Sequence, residues 1–401
     1  MYHRSDTPQE PSNPPTPVAS PQPNPIRIRL IKLADAFLGI QLLWVTLAAA
    51  LVYLSYLLNL SPVLCWIGLA LACLPLPLRL ARSGIRALRT PFDLPIVLLL
   101  TGAFIGFSVS PDRVISLGAL QCILAITPFY YSLVNSPRMA TIIKWVVILA
   151  SLALLIALLF FVLDMSLIER QPNFVIGGSG THHGLAMYLT IVTCLLLGIA
   201  AFDRSRRTKI LASALSLLFL AIIVAMTRDS LGSIVHGVSI SGRWPIWDNT
   251  ASLLAESPLT GLGLGCWALT YWDTAILGTD AVGGITHAHH AYIELYSNTG
   301  IFGALALLVA LGIGAKLSLD IIRSPRTHPW YGFGVGIVLA CIATLLVGIV
   351  ESAPMGVPLV ATETYYYVIS PIAWILGGLL VIAHRLMTRG HGVQDDPQQK
   401  C

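Results

Sequence analysis

Charge is scarce in this sequence. Only 11% of its 401 residues are Asp, Glu, Lys or Arg, against about a quarter in an ordinary soluble domain. A solvated surface of normal size cannot be built from so few charges, which excludes a soluble globular enzyme and a nucleic-acid module. Cysteine is equally uninformative as a framework. The seven residues Cys65, Cys73, Cys122, Cys194, Cys266, Cys341 and Cys401 show no metal spacing and lie mostly in apolar runs, so packing is their expected role. No internal repeat is present, and the alternating ten-residue segments of a membrane barrel are missing. What abounds is apolar: 56% of residues are hydrophobic and the mean hydropathy is +0.78.

A helix needs about 20 apolar residues to cross the hydrocarbon of a bilayer, so stretches without charge mark candidate spans. Residues 36–78 hold two, broken around Asn59-Leu60-Ser61-Pro62. Further runs are 94–111, 114–137, 145–163, 171–202 (spanning only from about His183), 210–227, 295–315, 327–350 and 364–384. The expected fold is all-α, a polytopic bundle of about ten transmembrane helices with one long external loop containing short helices. With both termini cytosolic and the spans alternating, 20 of the 24 Lys and Arg fall on the cytosolic side. Only Arg113, Arg170, Arg228 and Arg243 lie outside. That asymmetry fits the positive-inside rule and supports both count and direction.

The expected organisation follows. Residues 1–26, with eight Pro among polar residues, form a disordered cytosolic tail. Residues 27–227 carry seven spans, 228–294 an external loop, 295–386 three spans, and 387–401 a second cytosolic tail. No apolar run with a cleavage site precedes the first span, so no removable signal peptide is expected.

The external loop concentrates unusual residues: two of the four external Arg, four of the nine Trp, and a histidine cluster. Loops of this length in compact proteins are commonly functional. Arg228 and Arg243 offer planar guanidinium forks suited to phosphate oxygens; the plainer alternative is that they mark the membrane edge or pair with Asp229 or Asp248. Positions 247, 250, 251 and 254 recur at helical spacing and predict a short amphipathic helix ended by Ser257-Pro258. Gly261-Leu262-Gly263-Leu264-Gly265 reads as a tight turn without a ligand, since no Lys accompanies it. The sharpest feature is His287-Ala288-His289-His290. It is open to three readings: a general base, a zinc site, or polar caps for the helix that follows. Against zinc, the loop has one Cys and no second cluster. Tyr292, Trp247 and His183 are candidates to line the same cavity.

Taken in order, these motifs resemble a family. Thr227-Arg228 ends an apolar helix, then come Gly242-Arg243-x-x-x-Trp247, Glu256-Ser-Pro-Leu-Thr-Gly-Leu-Gly-Leu-Gly265, His287-Ala-His-His-Ala-Tyr292 and Asn298-Thr-Gly-Ile-Phe-Gly303. The pattern is similar to that of the O-antigen ligase and O-antigen polymerase superfamily of bacterial inner-membrane glycosyltransferases. The resemblance covers about residues 227–303. It implies transfer of a glycan from undecaprenyl pyrophosphate to a lipid A core oligosaccharide on the periplasmic face. It also implies that Arg228 and Arg243 hold the pyrophosphate, and that a His of the 287–290 cluster activates the acceptor hydroxyl. Position 289 best matches the family histidine, with His287 and His290 as neighbours. The chain departs from the pattern at His290, where the family usually has Asn. It also lacks a two-helix hairpin between the two Arg, a loss that preserves parity and keeps both outside.

The chemistry needs no cofactor: two Arg neutralise a leaving pyrophosphate, and an imidazole takes the proton. Asp395-Asp396 lie in the cytosolic tail and no external Asp-x-Asp exists, so the reaction is expected to be metal-independent, with inversion at the attacked carbon. The expected partners are the lipid-linked glycan, the lipid A core and membrane lipid, with no nucleic acid. The alternatives are a polymerase that joins lipid-linked repeats, a protein O-oligosaccharyltransferase, and a polyprenyl-glycan transporter. Charge-free span interiors argue against the transporter.

Overall fold

The computed structural model describes residues 36–57, 60–84, 88–136, 181–235, 243–275, 287–349, 356–361 and 364–389. The helices are α1 (Gln41–Leu57), α2 (Pro62–Cys73), α3 (Pro75–Ser83), α4 (Asp93–Val109), α5 (Arg113–Val134), α6 (Thr181–Phe202) and α7 (Arg206–Val235). They continue with α8 (Trp244–Glu256), α9 (Trp267–Ala275), α10 (Ala291–Arg323) and α11 (Tyr331–Val347). A hairpin of β1 (Gly356–Ala361) and β2 (Thr364–Ile369) precedes α12 (Ile372–Arg389).

Among the described residues, four stretches are long and apolar enough to cross a membrane: Pro62–Arg82, Arg113–Val134, Arg206–Val224 and Ala291–Arg323. Five shorter apolar helices accompany them. Their boundaries follow local chemistry. The break expected between the first two spans is seen at Ser61-Pro62, where Ser61 Oγ accepts the Val63 N–H at 3.4 Å and Pro62 takes the first turn, in which its missing N–H costs nothing. Asp112 likewise caps α5, its carboxylate accepting the N–H groups of Val114 and Ile115 at 2.8 and 3.0 Å.

Packing uses small residues, as expected where lipid offers no hydrophobic drive for helix association. Helices α6 and α11 meet at Gly198 and Gly336 so closely that a Cβ on Gly198 would lie 2.3 Å from the Gly336 nitrogen. Helix α4 packs along α10, and α12 lies against α5, α10 and α11. The outward faces stay apolar: Leu43, Leu47, Leu211, Leu217 and Leu308 are all more than 60% exposed. In water such a surface would drive aggregation; against acyl chains it is solvated.

Three expectations need revision or lie beyond reach. The seventh helix does not end with its apolar run at Thr227, because α7 continues to Val235. At about 1.5 Å per residue this 30-residue helix exceeds the hydrocarbon thickness, so Arg228 sits on a helix and does not open a loop. The last span does not begin at residue 364. Residues 364–369, rich in Tyr and β-branched side chains, pair antiparallel with 356–361, and the helix starts only after Pro371. The span expected at 145–163 and the tail 1–26 lie outside the described residues.

Candidate active site

The histidine segment turns into the head of α10, and its backbone is unusual. His290 occupies the cap position with φ −157° and ψ 106°, and its Nδ1 accepts the Ile293 N–H at 3.4 Å. His289 has φ 51°, the left-handed region that a non-glycine residue seldom enters. That turn brings the rings of His287 and His289 to a centroid separation of 3.8 Å at 46°. The three histidines therefore precede the helix, with His290 as its cap.

A left-handed non-glycine residue costs about 1–3 kcal/mol and persists only where its surroundings over-determine it. Here Ala288, the fully buried residue that links the two histidines, is held on both sides. Its N–H donates to Glu294 Oε2 at 3.0 Å, and its carbonyl accepts the Trp247 indole N–H at 2.9 Å. The next residues are anchored to the end of α11. Ala291 N–H donates to Gly348 O at 2.8 Å and Tyr292 O–H to Leu345 O at 2.5 Å. The His290 ring meets Trp247 edge-on at 5.2 Å and Tyr292 at 5.5 Å. Burial in this aromatic bracket lowers the pKa of His290 from its ordinary value, partly opposed by its backbone hydrogen bond.

Arg243 lies at the start of α8, half-buried, and its carbonyl accepts the Trp247 N–H at 3.0 Å. Arg243 is thus one helical turn from the indole that grips the histidine segment. Helix α8 buries Ile246, Thr250 and Leu254 and leaves Trp247 half-buried, close to the predicted stripe of 247, 250, 251 and 254, although Ala251 is exposed. Thr250 accepts the Trp267 indole N–H at 3.2 Å, and Trp267 stacks on Tyr271 at 4.7 Å, which ties α8 to α9. Arg228 lies on α7 and His183 in the first turn of α6, but their side chains lie outside the described residues. Among the described residues, no group of three or more metal-ligating side chains is placed to hold an ion.

The glycine motif and the Asn298-Thr299-Gly300 motif prove to be two halves of one joint. Gly261, Gly263 and Gly265 all have positive φ, and Gly300 kinks α10 with φ 59° and ψ −153°. Across the joint, Leu262 N–H donates to Ser297 O at 2.7 Å, Gly265 N–H to Asn298 Oδ1 at 2.6 Å, and Ile301 N–H to Leu259 O at 3.3 Å. Leu264 N–H reaches Gly106 O on α4 at 3.2 Å, while Leu264 O accepts from the buried Ser116 hydroxyl of α5 at 2.5 Å. These loop amides are committed to protein acceptors, as a structural turn requires. Glu294, whose carboxylate is wholly buried, escaped the sequence reading as a site residue. The available signal was a lone acid in the first turn of the helix that the histidines introduce. On the other side of Tyr292, an apolar cavity of about 700 Å³ lies between α4, α10, α11 and α12, walled by Ile96, Leu295, Leu311, Leu345 and Trp374.

Apolar helices and this polar joint define a multi-pass membrane protein with an elaborated segment at the head of α10. Residues 174–308, which include α6, α7, α8, α9 and the first half of α10, match the O-antigen ligase family. Over that segment the chain is similar to the O-antigen ligase superfamily, in agreement with the order of motifs between residues 227 and 303. No curated protein matches the chain.

Proposed function

We propose that the protein is an inner-membrane glycosyltransferase that moves a glycan from undecaprenyl pyrophosphate to a lipid A core oligosaccharide at the periplasmic face, with both termini cytosolic. The observation that carries this reading is the His287–His289 ring pair, fixed by Trp247 to the helix that Arg243 heads. His289 is the base. The neighbouring His290 already uses its Nδ1 as a helix cap, and His287 is 2% exposed.

In the proposed step, the acceptor hydroxyl gives its proton to the imidazole and its oxygen attacks the anomeric carbon. The bond from that carbon to the pyrophosphate oxygen breaks, and the electron pair leaves with the pyrophosphate. Arg228 and Arg243 neutralise the charge that develops there. One-step attack inverts the configuration. No metal is required in this scheme, so EDTA should leave transfer unchanged; loss restored by Mg²⁺ or Mn²⁺ would contradict it. The apolar cavity beside Tyr292 is of a size to receive part of the lipid chain.

Deleting the gene and resolving surface lipopolysaccharide on a gel tests the reading. Core without polymer is expected, restored by the wild-type gene and not by R228A, R243A or H289A variants that still reach the membrane. Core bearing a single repeat would indicate a polymerase, and full-length polymer in the deletion strain would refute both.

A further inference from the structure

Taking His289 as the base, we infer that Glu294 is a positioning residue for the transfer reaction, acting by holding the Ala288 amide that links His287 to His289. The residue is an unusual choice for its place. A carboxylate with no solvent exposure at the edge of a membrane helix carries a heavy desolvation cost, one that a packed apolar side chain would avoid. What the carboxylate does there is specific. Its Oε2 accepts the Ala288 N–H at 3.0 Å, the amide that lies between His287 and His289.

The location of that bond explains the histidine geometry. His289 departs from ordinary backbone at φ 51°, and the residue before it is the natural point at which to enforce the turn. Glu294 fixes the amide of Ala288 and Trp247 fixes its carbonyl, so the peptide planes on either side are pinned from two different helices. Because Glu294 lies on α10 just before the Gly300 kink, the rings are referenced to the same rigid joint that seats the glycine loop. Misplacing a reacting group by about 1 Å can cost about a hundredfold in rate. The side chain touches neither donor nor acceptor in this account; it acts through Ala288.

Two variants and two readouts test this. In Glu294→Ala, hydrogen exchange at the Ala288 amide should accelerate about tenfold to a hundredfold, since its bond to a buried side-chain oxygen is lost. The transfer kcat should fall by a similar factor, with KM for the lipid-linked donor within about twofold. Glu294→Gln keeps an amide oxygen able to accept the same N–H, and should retain both the slow exchange and most of kcat. Should the alanine variant fail to fold, Trp247→Phe releases the Ala288 carbonyl while keeping a ring against His290, and should lower kcat with the same unchanged KM. Unaltered exchange at Ala288 in Glu294→Ala overturns the proposal, as does wild-type kcat beside an inactive His289→Ala. Wild-type transfer by His289→Ala as well would instead remove the reading of the histidine as base. The exchange measurement would still decide whether Glu294 holds the turn.

Discussion

The joint between the glycine loop and α10 makes Gly300→Ala the most demanding test of the architecture. Gly300 sits at φ 59° and ψ −153°, a region essentially closed to side chains. An added Cβ would lie 2.1 Å from Leu259 O and 2.7 Å from the Thr260 carbonyl carbon, both backbone atoms that cannot rotate away. Conformational strain of about 1–3 kcal/mol adds to a collision of about 1–3 kcal/mol, so a loss of roughly 2–6 kcal/mol is expected if the kink is retained. If α10 straightens instead, the Ile301, Leu262 and Gly265 amides lose their acceptors and the loop lifts from its seat. Either route is measurable as earlier unfolding when purified protein in mixed micelles is titrated with SDS. Gly312→Ala on the same helix is the control, since no described atom lies within 4 Å of its added methyl and helix propensity favours Ala by up to ~1 kcal/mol. Equal unfolding of Gly300→Ala and wild type would refute the joint.

Two other substitutions probe its surroundings. Ser116→Ala removes the hydroxyl that donates to Leu264 O and also contacts Ser110 Oγ in a fully buried site, and should cost about 1–3 kcal/mol in the same titration. His290 should make stability fall in mild acid. Burial lowers its folded pKa below the ordinary value near 6.5, so in acid the unfolded chain binds more protons and stability rises with pH. The stabilisation is therefore complete above about pH 6.5 and lost below it, where protonation of Nδ1 would also release the Ile293 cap. His290→Asn retains a capping side chain and should flatten the fall in melting temperature between pH 7.5 and 5; an equal fall in both proteins would contradict this.

Much of the helical frame is legible from charge-free runs, because the cost of placing a charge in hydrocarbon writes the spans directly into the sequence. Ser61-Pro62 marked the first break, and the His287–His290 segment stood out by residue type alone. Other features depend on tertiary partners. The Gly300 kink goes with the pairing of Ile301 to Leu259 and of Leu262 to Ser297 across the fold, and no local pattern states those pairings. The second strand, 364–369, is as apolar and aromatic as a span, so hydropathy could not separate strand from helix there. Helix α7 passes Arg228 because exit from hydrocarbon ends the apolar run without ending the hydrogen-bond ladder. Glu294 was visible as a residue, but its meaning lies in a bond to Ala288.

The most direct measurement separates binding from chemistry at the proposed site. Undecaprenyl pyrophosphate would be titrated against the protein in lipid nanodiscs, alongside turnover of the lipid-linked glycan. Arg243→Ala should weaken binding about tenfold to a hundredfold, the magnitude of a lost charge-assisted contact, while His289→Ala should bind as wild type yet transfer nothing. The reverse pattern, with binding indifferent to Arg243 and dependent on His289, would contradict the assignment of guanidinium to the phosphates and imidazole to the proton.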